Sequence, residues 1–241
     1  LTDGTINAQP DPWYAAHCSP LLDRNGNYQR NIETSRFFGS AYIELTPLRH
    51  FNFKSQFTLD RSTDRDGLYE DYQSQPRYQN PSTTYISNAK VTTTRYVWQN
   101  TANYNLDFNN NNFIFMLGHE MTQSVDETSS ISGDAGAEHY YKSSFYDLSK
   151  IASPTAKSSY IKSNMLSFFG RVNYAYNSRY LLQGSLRADG SSVLARGHKW
   201  GYFPSVSAGW RISDEGFMSS TRSWLDNLKF RVSWGLSGNS A

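Results

Sequence analysis

The feature that most restricts the fold is a period of two that persists from Ser167 to Asn239. Leu228, Phe230, Val232 and Trp234 fill one parity, while Lys229, Arg231, Ser233 and Ser237 stand off it. Val206, Ala208, Trp210 and Ile212 alternate in the same way with Ser205, Ser207, Gly209 and Arg211. Further up, Leu166, Phe168, Val172, Tyr174 and Tyr176 oppose Ser167, Arg171 and Asn173. Tyr180, Leu182, Leu186 and Ala188 oppose Gln183, Ser185, Arg187 and Asp189. Successive side chains of a strand point to opposite faces, so this pattern predicts strands with one apolar and one polar face.

The pattern recurs upstream. Phe51, Phe53, Phe57 and Leu59 share one parity with only Ser55 breaking it, and Phe37, Gly39, Ala41, Ile43 and Leu45 form a matching face before Pro47. Tyr96, Trp98, Ala102, Tyr104 and Leu106 oppose Arg95, Gln99, Thr101, Asn103 and Asn105. The run Asn109-Asn110-Asn111-Asn112 and the pair Asn177-Ser178 supply tight turns, because Asn tolerates left-handed backbone angles. About eight strands follow, each able to make a tilted membrane crossing of roughly 9–11 residues. Connections near 47–50, 107–112 and 177–178 are short. Those near 61–92 and 124–162 are long, and 190–200 is intermediate. Such alternation is the habit of outer-membrane barrels with tight periplasmic turns and extended outer loops. It predicts that strand 179–189 runs outward and that 201–213 returns inward to Asp214. The link 214–226 falls in a short-turn slot yet is longer, with a small helical turn expected.

Composition enters where a soluble reading must be weighed. Charged residues are 18% of the chain and aromatics 15%, against roughly 25% charged in ordinary soluble proteins. Mean hydropathy is negative, yet a barrel averages lipid-facing and water-facing residues, so that sign does not exclude a membrane protein. The longest aliphatic or aromatic run, Phe113 to Leu117, is far short of the roughly 20 residues of a spanning helix. Net charge is +2, which implies no nucleic-acid partner. Cys18 is the single cysteine, so no intrachain disulfide is possible. The chain starts within polar, turn-rich text and stops just after a strand, which predicts a fragment of a longer barrel. A soluble β-sandwich that binds carbohydrate is the competing reading from another class.

Residues 167–239 resemble the SusC/RagA-type TonB-linked outer-membrane transporters of Bacteroidetes. The matching text is FFGRVNYAY at 168–176, RYLLQGSLRADGSS at 179–192, KWGYFPSVSAGWRISDEGFM at 199–218 and LKFRVSWGLSGN at 228–239. DPWYAAHCSPLLDRNGNYQ at 11–29 and the strands at 37–59 are similar to the barrel text that precedes it. The resemblance implies an all-β, antiparallel transmembrane barrel segment, about eight strands of a total of about 22. All of residues 1–241 would then belong to one barrel domain. Residues 1–35 would be an outer loop, and 36–60, 93–123, 163–189 and 201–239 strand pairs. The plug domain and TonB box would be absent from this sequence. It further implies a SusD-like surface lipoprotein as lid, contact with TonB through the missing N-terminal region, outer-membrane lipid around the wall, and an oligosaccharide or peptide substrate. Another outer-membrane channel or a siderophore receptor is the nearest alternative.

Candidate sites follow from face and position. Arg171, Arg187, Asp189, Arg211, Lys229 and Arg231 lie on the polar parity and are expected to face the lumen, where an inner-wall ladder of cross-strand pairs explains them as well as contact with substrate or plug. A midplane Arg or Lys on the lipid side would cost about 2–4 kcal/mol. Tyr174, Tyr176 and Tyr180 flank a short turn on the apolar parity and are expected to form an aromatic girdle. Trp13, Tyr14, Tyr69, Tyr72, Tyr78, Tyr140 and Tyr141 fall in expected loops and are candidates for ligand or lid contacts. Ser62-Thr63-Asp64-Arg65-Asp66-Gly67 imitates the start of a calcium loop, but its twelfth position would be Gln73, so a solvated loop is the better reading. His17, His50, His119, His139 and His198 have no zinc spacing. Asp214 and Glu215 fit a helix N-terminus. No catalytic constellation or cofactor motif is present in the sequence, and an enzyme is not expected.

Overall fold

The structure, a computed structural model, describes residues 7, 13, 18–78, 83–136, 144–149, 151–221 and 223–238. It contains one eight-stranded antiparallel sheet in strict sequence order. The strands are β1 (Tyr28–Leu48), β2 (Phe51–Glu70), β3 (Thr83–Phe108), β4 (Asn111–Gly136), β5 (Thr155–Tyr176), β6 (Tyr180–Ser191), β7 (Trp200–Arg211) and β8 (Lys229–Gly235). Among the described residues the sheet is not closed, because β1 and β8 each lack a neighbour on one side.

The first five strands are longer than the alternation predicts, at 21, 20, 26, 26 and 22 residues. Much of the text assigned to long loops is therefore extended strand. Residues 61–70 continue β2, 83–92 begin β3, 124–136 continue β4 and 155–162 begin β5. Tyr28 already opens β1, inside the expected outer loop of 1–35. The pattern missed these extensions because both parities become polar, as in Arg61-Ser62-Thr63-Asp64-Arg65-Asp66. Pairing is carried there by charge instead of burial. Arg30 Nη2 lies 2.6 Å from Asp66, Arg65 Nη2 lies 2.6 Å from Glu33, and Thr34 donates to Asp64.

Two compact units divide the chain. One comprises Leu1–Phe37, Arg61–Thr94 and Val125–Ile161, and the other Phe38–Asp60, Arg95–Ser124 and Lys162–Ala241. The first has a small core of its own, made by Tyr69, Ile86, Ala135, Phe145 and Ile151 with Leu148 packed against it. Gly67 makes this core possible. A Cβ there would come within 2.9 Å of three atoms of the Phe145 ring, so the bare backbone is the floor on which the ring lies. Asn88 Nδ2 donates to the Phe145 carbonyl at 2.9 Å and pins the covering segment.

In the second unit the register fixes the faces. Phe168 pairs with Ala188, Leu182 with Ala208, and Val206 with Trp234. Nothing in this unit covers that apolar face among the described residues: Phe230 is 60% and Leu182 53% exposed. Contiguous exposed apolar surface of this kind marks a face that meets a partner or a membrane. The turn between β5 and β6 is the tight one expected. Asn177 and Ser178 have φ of 52° and 57°, and the Arg179 amide donates to the Tyr176 carbonyl at 2.9 Å. Positive φ at both central residues matches the right-handed twist of a hairpin.

Candidate functional site

The opposite face of the second unit carries the polar residues. Registration places Ser167 beside Asp189, Phe169 beside Arg187 and Arg171 beside Ser185. It then places Gly209 beside Arg231 and Arg211 beside Lys229. All six residues expected on the polar parity, Arg171, Arg187, Asp189, Arg211, Lys229 and Arg231, thus share one face of the sheet.

Arg187 is the best-tied of them. Its Nε donates to both Asp189 oxygens at 2.7 and 2.9 Å, its Nη2 donates to Ser167 Oγ at 3.0 Å, and Glu120 stands 3.6 Å away. The guanidinium also lies over the Phe169 ring. Phe169 in turn covers Gly118, where any Cβ would collide with the ring. Arg171 Nη2 donates to the Met116 sulfur at 3.4 Å. Ser185 and Ser205 share a hydrogen bond at 2.7 Å across β6 and β7. This part of the face is a cross-strand polar network, in which Arg171 Nε is buried without a hydrogen-bond partner among the described residues.

Across β5 to β8 the sheet forms a cavity of about 560 Å³. Asn112, Asn173, Gln183, Ser207, Lys229, Arg231 and Ser233 contribute to its lining.

On the apolar face the three tyrosines stand near the short turns. The Tyr174 hydroxyl donates to Asn111 Oδ1 at 2.7 Å, and its ring lies 4.6 Å from Phe113. Tyr176 and Tyr180 stack at 6.3 Å. His119 is packed between Trp98 and Phe168 at 5.8 and 5.3 Å, and the zinc-free spacing gave no hint of that aromatic setting.

Glu215 has a role the sequence did not reveal. It immediately precedes the 3-10 turn Gly216–Thr221, and its carbonyl accepts from the Met218 amide at 3.1 Å, in keeping with a helix terminus. Its carboxylate also accepts from the Tyr180 hydroxyl at 2.6 Å and the Trp210 indole N–H at 3.0 Å, with Arg179 3.5 Å away. Hydrogen bonds from Tyr180 first, then Trp210, hold the carboxyl below its ordinary range. A depressed carboxylate contributes stability above its unfolded value, near pH 4.3, and loses it as pH falls through the folded value. Glu215→Gln is therefore expected to lower the thermal midpoint at pH 7. The gap between variant and parent should close below about pH 4; a gap that stays constant with pH would show that the charge is not what matters.

The loop aromatics divide. Trp13 is 89% exposed, and Tyr72 and Tyr78 are half-buried beside the 3-10 turn Gln75–Arg77. Tyr14, Tyr140 and Tyr141 lie outside the described residues. Tyr69 must be corrected: it lies in β2, is 0% exposed, and donates its hydroxyl to Asp71 at 3.0 Å. A core side chain of this kind is not a surface contact. The calcium-like stretch is also strand, with Asp64, Arg65 and Asp66 engaged by Thr34, Glu33 and Arg30. Among the described residues no three His, Cys, Asp or Glu are placed to hold a metal.

Comparison with known proteins places this geometry. The family model described as TonB dependent receptor-like, beta-barrel matches residues 2–240. TonB-dependent receptor P26 of Formosa agariphila is 32% identical over 252 residues, which covers 99% of this chain and 24% of that protein. TonB-dependent receptor SusC of Bacteroides thetaiotaomicron is 40% identical over 77 residues, covering 32% of this chain and 8% of that protein. Among solved structures, the RagAB peptide transporter aligns with a TM-score of 0.76 at 20% identity, over 89% of this chain and 24% of that one. The chain spans about a quarter of the length of P26.

Proposed function

Since the chain belongs to the TonB-dependent receptor-like β-barrel family, we propose that it forms part of the wall of an outer-membrane importer. In this reading the whole protein takes up glycans or peptides under a SusD-like surface lipoprotein, with energy delivered by TonB through a region outside this sequence. The observation that carries the reading is the bare apolar face of β5–β8 set against a hydrogen-bonded polar face. One face meets lipid and the other water, and closure by further strands is what lipid demands of an open sheet edge. The short turns at 49–50, 109–110 and 177–179 then lie on the periplasmic side, and β6 runs outward. Tyr174, Tyr176 and Tyr180 sit at headgroup level, and Arg171, Arg187, Asp189, Arg211, Lys229 and Arg231 face the lumen. Trp13, Tyr72 and Tyr78, on the outer side, are the candidates for ligand or lid contact among the described residues.

The test has two arms. The complete protein should require detergent for extraction and should co-purify with a surface lipoprotein. Release into plain buffer as a monomer would favour a soluble sandwich, and a detergent-dependent protein without a lipoprotein would favour a siderophore receptor or porin. In the second arm, Arg187→Cys should react with a water-soluble maleimide and be shielded from a lipid-soluble one. The reverse pattern would overturn the lumenal assignment.

A further inference from the structure

Trp200 and Trp210 mark the two ends of the apolar face of β7. They stand ten positions apart on one parity, about 33 Å along a strand at about 3.3 Å per residue. A strand tilt of about 40° reduces that to about 25 Å of height, which is the apolar band between the aromatic girdles of an outer-membrane barrel. Trp200 is fixed at its end of the band. Its ring lies against Gly190, where a Cβ would come within 3.1 Å of three ring atoms, and it stacks on Phe168 at 6.3 Å.

The chain beyond Trp200 is therefore level with lipid headgroups, and it is cationic. β6 and β7 are short, at 12 residues each, and residues 192–199 join them. Arg196, His198 and Lys199 fall in this link and are exposed. The His198 amide donates to the Ala195 carbonyl at 3.1 Å, and Gly197 has φ of 88°, a left-handed third turn position that suits glycine. Arg196 and His198 thus share one tight turn. Lys162 joins them from β5. The Ser192 amide donates to the Asn164 carbonyl at 2.9 Å, and the Asn164 amide donates to Ser192 Oγ at 2.8 Å. The link is fastened there, and Lys162 stands two positions beyond Asn164 on the parity of Leu166 and Phe168, exposed. No nearby acid in the chain balances these charges. From Lys162 to Ser213 the one acidic residue is Asp189, and Arg187 Nε donates to both its oxygens. Among the described residues Lys162, Arg196, His198 and Lys199 make no ion pair. Such an excess attracts anions.

We propose that Lys162, Arg196, His198 and Lys199 bind the phosphate of an outer-leaflet lipid whose acyl chain runs down the apolar face past Trp200 and Phe168. A phosphate monoester suits them. It carries nearly two negative charges at pH 7 and three acceptor oxygens, so cations from two segments can share it. His198 offers a ring N–H in either protonation state. A zwitterionic diester carries one negative charge and cancels it with its own cation. The proposal rests on the reading that the apolar face of β5–β8 meets lipid and that β6 runs outward.

Titration of the complete protein in detergent with diphosphoryl lipid A, read by native mass spectrometry, tests it. The same lipid without its phosphates and free inorganic phosphate are the comparisons. Diphosphoryl lipid A should bind at least tenfold more tightly than the phosphate-free form, and equimolar inorganic phosphate should not displace it. Lys162→Gln/Arg196→Gln should weaken it at least tenfold, while Lys162→Arg, which keeps the charge, should bind as the parent does. Lys54→Gln removes a charge from the opposite parity, where Lys54 lies over the Tyr42 ring at 4.4 Å, and should have no effect. Equal binding of the two lipids, displacement by phosphate, binding unchanged in the double variant, or equal weakening by Lys54→Gln would overturn the proposal. A fluorophore on Leu182→Cys, in an otherwise cysteine-free protein, reports the face separately in phosphatidylcholine vesicles with nitroxide-bearing chains. Quenching there without a preference for the phosphorylated lipid would sink the phosphate site alone, whereas no quenching would sink the membrane reading beneath it.

Discussion

Leu186→Arg is expected to destabilise the membrane-embedded protein by about 2–4 kcal/mol, while Gln183→Arg should change stability by no more than about 0.5 kcal/mol. Both positions are on β6. Leu186 lies about halfway along it, on the face shared with Phe168 and Val206, and is 52% exposed to whatever surrounds the sheet. If that surrounding is hydrocarbon, an arginine there must shed its water or distort the bilayer to reach a headgroup. Gln183 projects among Asn173 and Ser207, where a guanidinium stays hydrated. Chemical unfolding of the complete protein in lipid vesicles would measure both. Equal penalties at the two sites would mean that the faces are not lipid and water.

Phe145→Ala should destabilise the first unit by about 3–5 kcal/mol, the usual range for removing a buried phenylalanine. Phe145 is almost wholly buried and is the ring that fills the slot over Gly67. Ile151 and Tyr69 complete the cluster and are themselves strand-bound, through the bridge between Ala135 and Ile151 and through β2. Collapse into the vacated space is therefore restricted. The expected signature is protease cleavage around residues 144–151 at concentrations that leave the parent intact, with the unheated gel mobility of the barrel unchanged. Cleavage no faster than in the parent would show that the cluster does not hold the segment down.

How much of this was legible in the sequence depended on whether one face meets an apolar medium. Along the strands between Phe168 and Trp234 most residues of one parity are apolar, so strand, face and turn could all be located, including the tight turn at Asn177-Ser178. From Asp60 to Tyr69 no such demand exists. Pairing there rests on Arg30 with Asp66 and Glu33 with Arg65, pairs separated by some 30 residues in sequence, and a local pattern cannot report them. Tyr69 was misplaced for the same reason. The side-chain partners of Glu215 were not legible, because Tyr180 and Trp210 become neighbours only through the β6–β7 register. The polar-face cations share one parity in the sequence, and the register sets them on one face of the sheet. The ties of Arg187 to Asp189 and Glu120, and of Arg211 to Asp214, are visible only in the folded sheet.

The strict sequence order of the sheet has a consequence for how the chain assembles. Every strand is hydrogen-bonded to the preceding or following strand, so no segment waits for a distant partner before it can pair. Closing a loop becomes only slowly more costly with length, by about 0.6 kcal/mol for each doubling. The hairpins closed at 49–50, 109–110 and 177–179 are thus the units of lowest entropic cost, and the connections at 71–82, 137–154 and 192–199 join them in a later and only slightly more demanding step. A chain of this kind can grow or shrink by whole hairpins without disturbing the register of the rest.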